Sequence, residues 1–359
     1  MKDFFKDTLK VVELASVLAG PAVGMFFAEL GAEVIKIENK KTGGDMTRTW
    51  KLPSENPVSS FSAYYASVNW HKTSLLLDLE NLTDRQQLYD IIETADIVIS
   101  NYRLQVAQKL GVDYATLSAF NSSLIFAQLN AFDSESERPA FDVVLQAEAG
   151  FMYMNGEADG RPVKMPVALI DVLAAHQLKE GILLALLRRT QTGKGAFVQT
   201  SLFEAAVASL VNQATNWLMG GYIPQRMGTQ HPNIAPYGDL YTCSDGQQIV
   251  LAIGTEKQFA HLCYQLELEA LLEDPRFDTN AARVKNRAAL NTLLSEKISV
   301  RESSILLQNL EKQGVPSASI RNMQQVFELP SAQSMILEET WPDGTLSQRV
   351  KTVAFEIQA

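Results

Sequence analysis

The chain has 359 residues, 46% hydrophobic and 20% charged, with a formal net charge of −10. That length accommodates two domains with a sizeable core, and the composition is that of a folded globular chain. The negative balance excludes general nucleic-acid binding, which needs a broad basic surface, but leaves room for an anionic ligand met by local basic groups. Cys243 and Cys263 suggest neither a disulfide framework nor metal spacing. His71, His176, His231 and His261 are scattered, so no metal site is expected. Glu13, Pro21 and Glu29 interrupt the apolar stretch Val11–Leu30, which therefore suits neither a signal peptide nor a spanning helix. A cytoplasmic protein with no membrane partner is expected.

In chain order, Val11–Leu14 and Val34–Ile37 read as strands around a helix that Pro21 opens at its first position and Gly31 closes. This β-α-β unit implies parallel strands and a right-handed crossover. The loop Ser16-Val17-Leu18-Ala19-Gly20 falls at a strand's carboxyl end and a helix N-terminus, where open α/β sheets place ligands and free amides suit anions. No G-x-G-x-x-G is present, so the dinucleotide fingerprint is missing. Lys36, Lys40, Lys41 and Arg48 cluster around Thr42-Gly43-Gly44-Asp45. Next come a strand at Ser74–Leu77, a helix to about Thr94 opened by a Thr83/Gln86 capping box, and a strand at Ile97–Ser100. A short helix over Val106–Leu110 carries Lys109; a strand at Leu124–Gln128 and a helix over Asp142–Ala149 follow.

Val167–Ile170 is a short apolar run that suits a buried strand, and Asp171 follows directly. Leu173, Leu178, Ile182, Ala185 and Leu186 then recur at helical steps as far as Arg188 and Arg189, before a turn at Thr192–Gly195 into the next strand. A long helix spans about Leu202–Met219. Strand and helix alternate throughout, which is α/β architecture. After Gly220-Gly221 the pattern changes to an irregular segment, one strand at Gln248–Ile253, and helices over Lys257–Leu268, Ala281–Ile298 and Arg301–Gln313. These make a smaller α+β domain. A hairpin turns at Trp341–Gly344. The expected division is 1–221, 222–329, and a return of 330–359 to the large domain.

Asp171 has two readings at a strand-to-helix junction. One is an N-cap that accepts first-turn amide protons, the commoner role, stabilising by about 1 kcal/mol. The other is a nucleophile. An ordinary Asp is ionised at neutral pH and attacks a thioester without help from a base.

Several stretches together resemble the class III CoA-transferases, the CaiB–BaiF family: VVELASVLAGPAVGMFFAELGAEVIKIE with GGDMTR, NWHKTSLLLDL, SNYRLQVAQKLGVDYATL, RPAFDVVLQAEAG, and MPVALIDVLAAHQLKEG with QTSLFEAAVASL. The resemblance spans nearly the whole chain. It implies a Rossmann-like large domain with a parallel sheet, a smaller α+β domain, and an intertwined homodimer. It tips Asp171 towards the nucleophile, which would form an acyl–aspartyl anhydride and then an aspartyl-CoA thioester that relays CoA to an acceptor acid. The partners implied are an acyl-CoA, present as substrate rather than as a permanent cofactor, and a small carboxylic acid. By the same resemblance Val17 and Leu18 border the pantetheine and thioester. Asn39 stands where some relatives carry an arginine, with Lys40 or Lys41 as substitute. Lys72, Asn101, Tyr102, Arg103 and Lys109 map to the adenine and phosphate region, and Asp142 to an acidic neighbour of Asp171.

Departures from the family pattern narrow the activity. Leu18 replaces the glutamine of formyl-CoA transferases, and Gly228–Tyr237 replaces their glycine-rich flap. Phe141 stands where racemases of this family have a proton-carrying histidine. An acyl-CoA racemase or isomerase, and a non-catalytic CoA-binding member, are the rival readings. His231 could border the acyl pocket or serve a turn. Glu148 replaces a small or apolar residue, and Ala359 ends the chain where members commonly run further.

Overall fold

A computed structural model describes residues 3–133, 136 and 138–358. Among them, six strands pair in parallel: β1 (Lys10–Leu14), β2 (Glu33–Asn39), β3 (Thr73–Leu77), β4 (Ile97–Ser100), β5 (Ile125–Asn130) and β6 (Ala196–Ser201). Their order is β3-β2-β1-β4-β5-β6, the Rossmann arrangement. The winding reverses between β1 and β4, so the loops leaving those two strands diverge and open a crevice at their carboxyl ends. The central strands are apolar on both faces because helices cover both. Alternate residues divide between two cores: Val11, Ile97, Ile99 and Ile125 pack with the helices Ala19–Glu29 and Leu169–Thr192. Val12, Val98 and Phe126 face the other way, towards the helix Leu82–Ile92.

Several local expectations give way to specific partners. Val167–Ile170 is not a strand: Val167 is exposed and the helix already begins at Leu169. Pro21 lies inside a helix that starts at Ala19. The Thr83/Gln86 box is displaced by Asn81, whose side chain accepts from both Thr83 N and Asp84 N and so sets the helix start earlier. The long helix over 202–219 breaks after Ala208, and Val211 takes a left-handed φ of 37°. That over 281–298 breaks at Asn286, whose amide donates to Ala282 O and Arg276 O.

The chain divides into two compact units. One comprises Met1–Phe151, Lys164–Ile223 and Gln333–Ala359, the other Met152–Val163 and Pro224–Ala332. Residues 152–163, assigned on sequence to the large domain, thus group with the smaller unit. Three antiparallel strands occur there among the described residues, β7 (Tyr237–Thr242), β8 (Gln248–Ala252) and β9 (Ser317–Ser319), where one was expected. Phe259, Leu262, Leu290, Leu294 and Leu306 form its core. In the first unit β10 (Ile336–Thr340) and β11 (Leu346–Val350) make the hairpin anticipated around Trp341–Gly344. Beyond it the buried Glu29 carboxylate accepts the amides of Thr352 and Val353, each bond 2.8–2.9 Å. No helix among the described residues is long and apolar enough to cross a membrane.

Candidate active site

The crevice between β1 and β4 is pinned by Asn101. Its Oδ1 accepts from Ser16 N at 3.2 Å and its Nδ2 donates to Ser16 O at 3.0 Å, locking together the loops that leave the two strands. Val17 follows with φ of 74°, a conformation costly for a β-branched residue. What holds it there is Asp45, whose carboxylate accepts Val17 N at 3.1 Å. Asp45 also accepts from Thr47 and pairs with Lys36 Nζ at 3.2 Å.

Two lysines, one from the basic cluster around Thr42–Asp45 and one expected at the phosphate region, prove to be internal. Lys36 is fully buried and donates to Glu13 at 2.8 Å and to Ala15 O at 2.7 Å. Burial lowers its pKa, but Glu13 and Asp45 outweigh burial and hold it above the usual lysine value. Lys72, expected at the phosphate region, spends its three ammonium protons on Glu13 (2.7 Å), Pro21 O (2.8 Å) and Asn69 (3.1 Å). Burial, with the charge of Lys36 and against the pull of Glu13, brings Lys72 down to about 8. Such an ammonium braces the loop and offers no proton to a phosphate. Arg48 is likewise an internal brace: its guanidinium grips Glu38 through Nε (2.8 Å) and Nη2 (2.6 Å) and lies 3.9 Å from the Tyr65 ring centroid.

A cleft of 300 Å³ opens at the carboxyl ends of β2, β3 and β4. Asn39, Lys41, Tyr102 and Lys109 line it, with apolar walls from Leu77 and Leu110. Lys40 and Arg103 are exposed residues that do not line it; Arg103 starts the helix Leu104–Leu110. The cleft thus unites four of the residues that the sequence assigned to a nucleotide end.

Asp171 lies in the first turn of the helix Leu169–Thr192, whose N-cap position, Ala168, makes no side-chain cap. The capping falls to Asp142: Oδ1 accepts Ile170 N at 2.7 Å and Oδ2 accepts from Gln146 at 2.6 Å. Gln146 in turn accepts Met165 N at 2.8 Å. The N-cap reading of Asp171 is therefore wrong, because another carboxylate holds the helix end. Among the described residues no donor bonds the Asp171 carboxylate. Burial, and next the charge of Asp142, push its pKa up to about 7. An aspartate so placed is only partly ionised at neutral pH, unlike the ordinary one assumed from sequence. The amides of Leu169, Ile170 and Val172 already have acceptors, so they are not the spare oxyanion donors that a helix start suggests.

Sequence reasoning missed the aromatic wall beside this carboxylate. Trp50 meets Tyr64 edge-on at 5.0 Å and Phe141 at 6.3 Å. Burial, then the charges of Asp171 and Asp142, push the Tyr64 hydroxyl to about 12. Trp50 and Tyr64 lie outside the regular strands and long helices, where no periodicity marks them. Elsewhere, Glu148 is exposed and paired with Arg138, so it faces water. His231 Nδ1 accepts Asn233 N at 3.1 Å, the turn role. No cluster of metal-holding side chains is found among the described residues.

Comparison with known proteins identifies the family. The model of CoA-transferase family III matches residues 7–359. The succinate–glutarate CoA-transferase of Agrobacterium fabrum is 34% identical over 352 residues, spanning 96% of this chain and 87% of that protein. Human succinyl-CoA:glutarate CoA-transferase is 33% identical over 327 residues, spanning 90% and 73%. A CaiB/BaiF family protein from Brucella suis superposes with a TM-score of 0.84 at 37% identity, covering 98% of this chain and 92% of that one. With its sheet order, its crevice and a family match over almost its full length, the chain belongs to CoA-transferase family III.

Proposed function

We propose that this CoA-transferase works through a covalent intermediate on Asp171, with a dicarboxylic acid of the succinate or glutarate class as acceptor. The observation that carries the reading is the buried Asp171 carboxylate, relieved of capping by Asp142 and bonded by no donor among the described residues. Raised towards neutrality, its ionised form is more basic, and so more nucleophilic, than a surface aspartate.

The steps balance as follows. An Asp171 oxygen attacks the donor thioester carbonyl; the C–S bond breaks and CoA leaves as thiolate, giving a mixed anhydride. The thiolate attacks the aspartyl carbonyl, releasing the donor acid and leaving CoA on Asp171 as a thioester. The acceptor carboxylate attacks that thioester, forming a second anhydride and freeing the thiolate again. Attack on the acceptor's acyl carbon yields the new acyl-CoA and restores Asp171.

In this reading Val17 and Leu18 border the pantetheine arm, Asn101 fixes their loop, and the cleft of Asn39, Lys41, Tyr102 and Lys109 takes the nucleotide end, with Lys40 and Arg103 at its margin. Lys72 acts inside, on Glu13. The acid class is supported by the names of relatives 31–34% identical to this chain. The assembly proposed is the intertwined homodimer that the family resemblance implies, for which light scattering should give twice the chain mass. The mechanism is tested by incubation with succinyl-CoA, trapping with hydroxylamine and peptide mass spectrometry. A hydroxamate on Asp171 is expected. Full CoA exchange by Asp171→Ala would discard the covalent route, and α-proton exchange without CoA transfer would indicate an isomerase.

A further inference from the structure

We infer that Glu80 acts as an internal stand-in for a phosphate, and that the 3′-phosphate of CoA must displace it from Lys41 and Lys109 to bind. Glu80 would then set how strongly the enzyme prefers CoA to dephospho-CoA. The inference rests on the reading that this cleft takes the nucleotide end.

The carboxylate of Glu80 holds one ammonium on each oxygen: Lys41 on Oε2 at 2.7 Å and Lys109 on Oε1 at 3.0 Å. The three residues come from different places, Lys41 just after β2, Glu80 just after β3 and Lys109 from the helix after β4. Only an anion between them makes two lysines converge in this way, since alone they repel. A phosphate monoester offers oxygens at comparable spacing and nearly twice the charge, so it fits the same gap and outbids a carboxylate. It must nevertheless break two charge-assisted bonds first.

The cleft's charge makes the competition matter. Lys41 and Lys109 are matched by Asp78, 3.2 Å from Lys41 Nζ, and by Glu80. With Glu38, the third carboxylate of the lining, already paired to Arg48, two positive groups against two negative ones leave no net charge to attract a phosphate. Lys41, first, and Lys109 hold the Glu80 carboxyl at about 2, so it stays anionic throughout the working pH range. Side-chain exposures of 54% for Lys41, 49% for Glu80 and 73% for Lys109 let the exchange occur without opening the fold.

Calorimetric titration of the full-length protein with CoA and with dephospho-CoA tests the inference. Glu80→Gln should bind CoA about three- to tenfold more tightly, the range that releasing two exposed pairs allows. Its affinity for dephospho-CoA should change less than about twofold. Equal shifts for both ligands, or unchanged or weaker CoA binding by Glu80→Gln, would overturn it. A Lys41→Ala/Lys109→Ala variant tests the underlying reading separately. If that variant binds CoA no better than dephospho-CoA, the cleft is the phosphate site and the Glu80 result judges the inference alone. If it keeps the full preference for CoA, the cleft assignment fails and the inference with it.

Discussion

Asp142 accepts the Ile170 amide at 2.7 Å, and in doing so holds its own charge against Asp171. One carboxylate terminates the helix so that the other is left for chemistry. Asp142→Asn should therefore separate the two effects. An asparagine oxygen still accepts from Ile170, but its amide meets the Gln146 amide, donor against donor, costing about 1 kcal/mol. With the charge gone, the Asp171 pKa should fall. The acidic limb of kcat/KM against pH should move to lower pH, while urea unfolding reports only the small loss.

Wild-type kcat/KM should rise with pH and level off above a midpoint near 7, because the attacking species is the ionised carboxylate. A midpoint near 4 would mean that Asp171 in the free enzyme is solvated like a surface aspartate.

The same shift has a stability counterpart with a definite sign. Folding raises the Asp171 pKa from 3.8 to about 7, so ionisation favours the unfolded chain. The penalty is absent below pH 4, grows between 4 and 7, and is complete above 7. Asp171→Asn should abolish turnover yet stabilise the fold by about 2–4 kcal/mol at pH 8, and scarcely at pH 4. Denaturant midpoints at the two pH values check this.

Gly24→Ala opposes a helix-propensity gain of about 1 kcal/mol to a collision. A Cβ at Gly24 falls on Glu13 Oε2, with Lys72 Nζ 3.3 Å away. Displacing the carboxylate that pairs two buried lysines should cost about 3–5 kcal/mol, so the alanine variant should unfold more readily. Thermal melting decides the sign.

Val17→Gly should be neutral to slightly stabilising, by up to about 1 kcal/mol. Relief at a φ of 74° offsets the added backbone entropy of glycine. Asp45→Ala, which removes the acceptor of Val17 N and a partner of Lys36, should destabilise markedly. Calorimetric melts should show a marked loss for Asp45→Ala and none for Val17→Gly if Asp45 is what holds the loop.

Much of the parallel sheet was legible because buried strands here are short apolar runs set between helical periods. That signal also misled at Val167–Ile170, where four apolar residues suit a strand or a helix start equally well. Asp171 stood out by its place in a familiar stretch. The roles of its neighbours did not, because they depend on distant pairings. Asp142 finds its amide 28 residues along the chain. Lys72 is taken out of the phosphate region by Glu13, 59 residues away. A lysine's charge is visible in a sequence, but what neutralises it is not.

The grip of Glu29 on Thr352 and Val353 spans 323 and 324 residues. On the ribosome, the seam that Glu29 closes stays open until the whole of the smaller unit has been synthesised. The far end of the helix Ala19–Glu29, away from the crevice, must wait for a peptide made after that unit. A chain cut before Thr352 would keep this buried carboxylate but lose both of the amides that meet it.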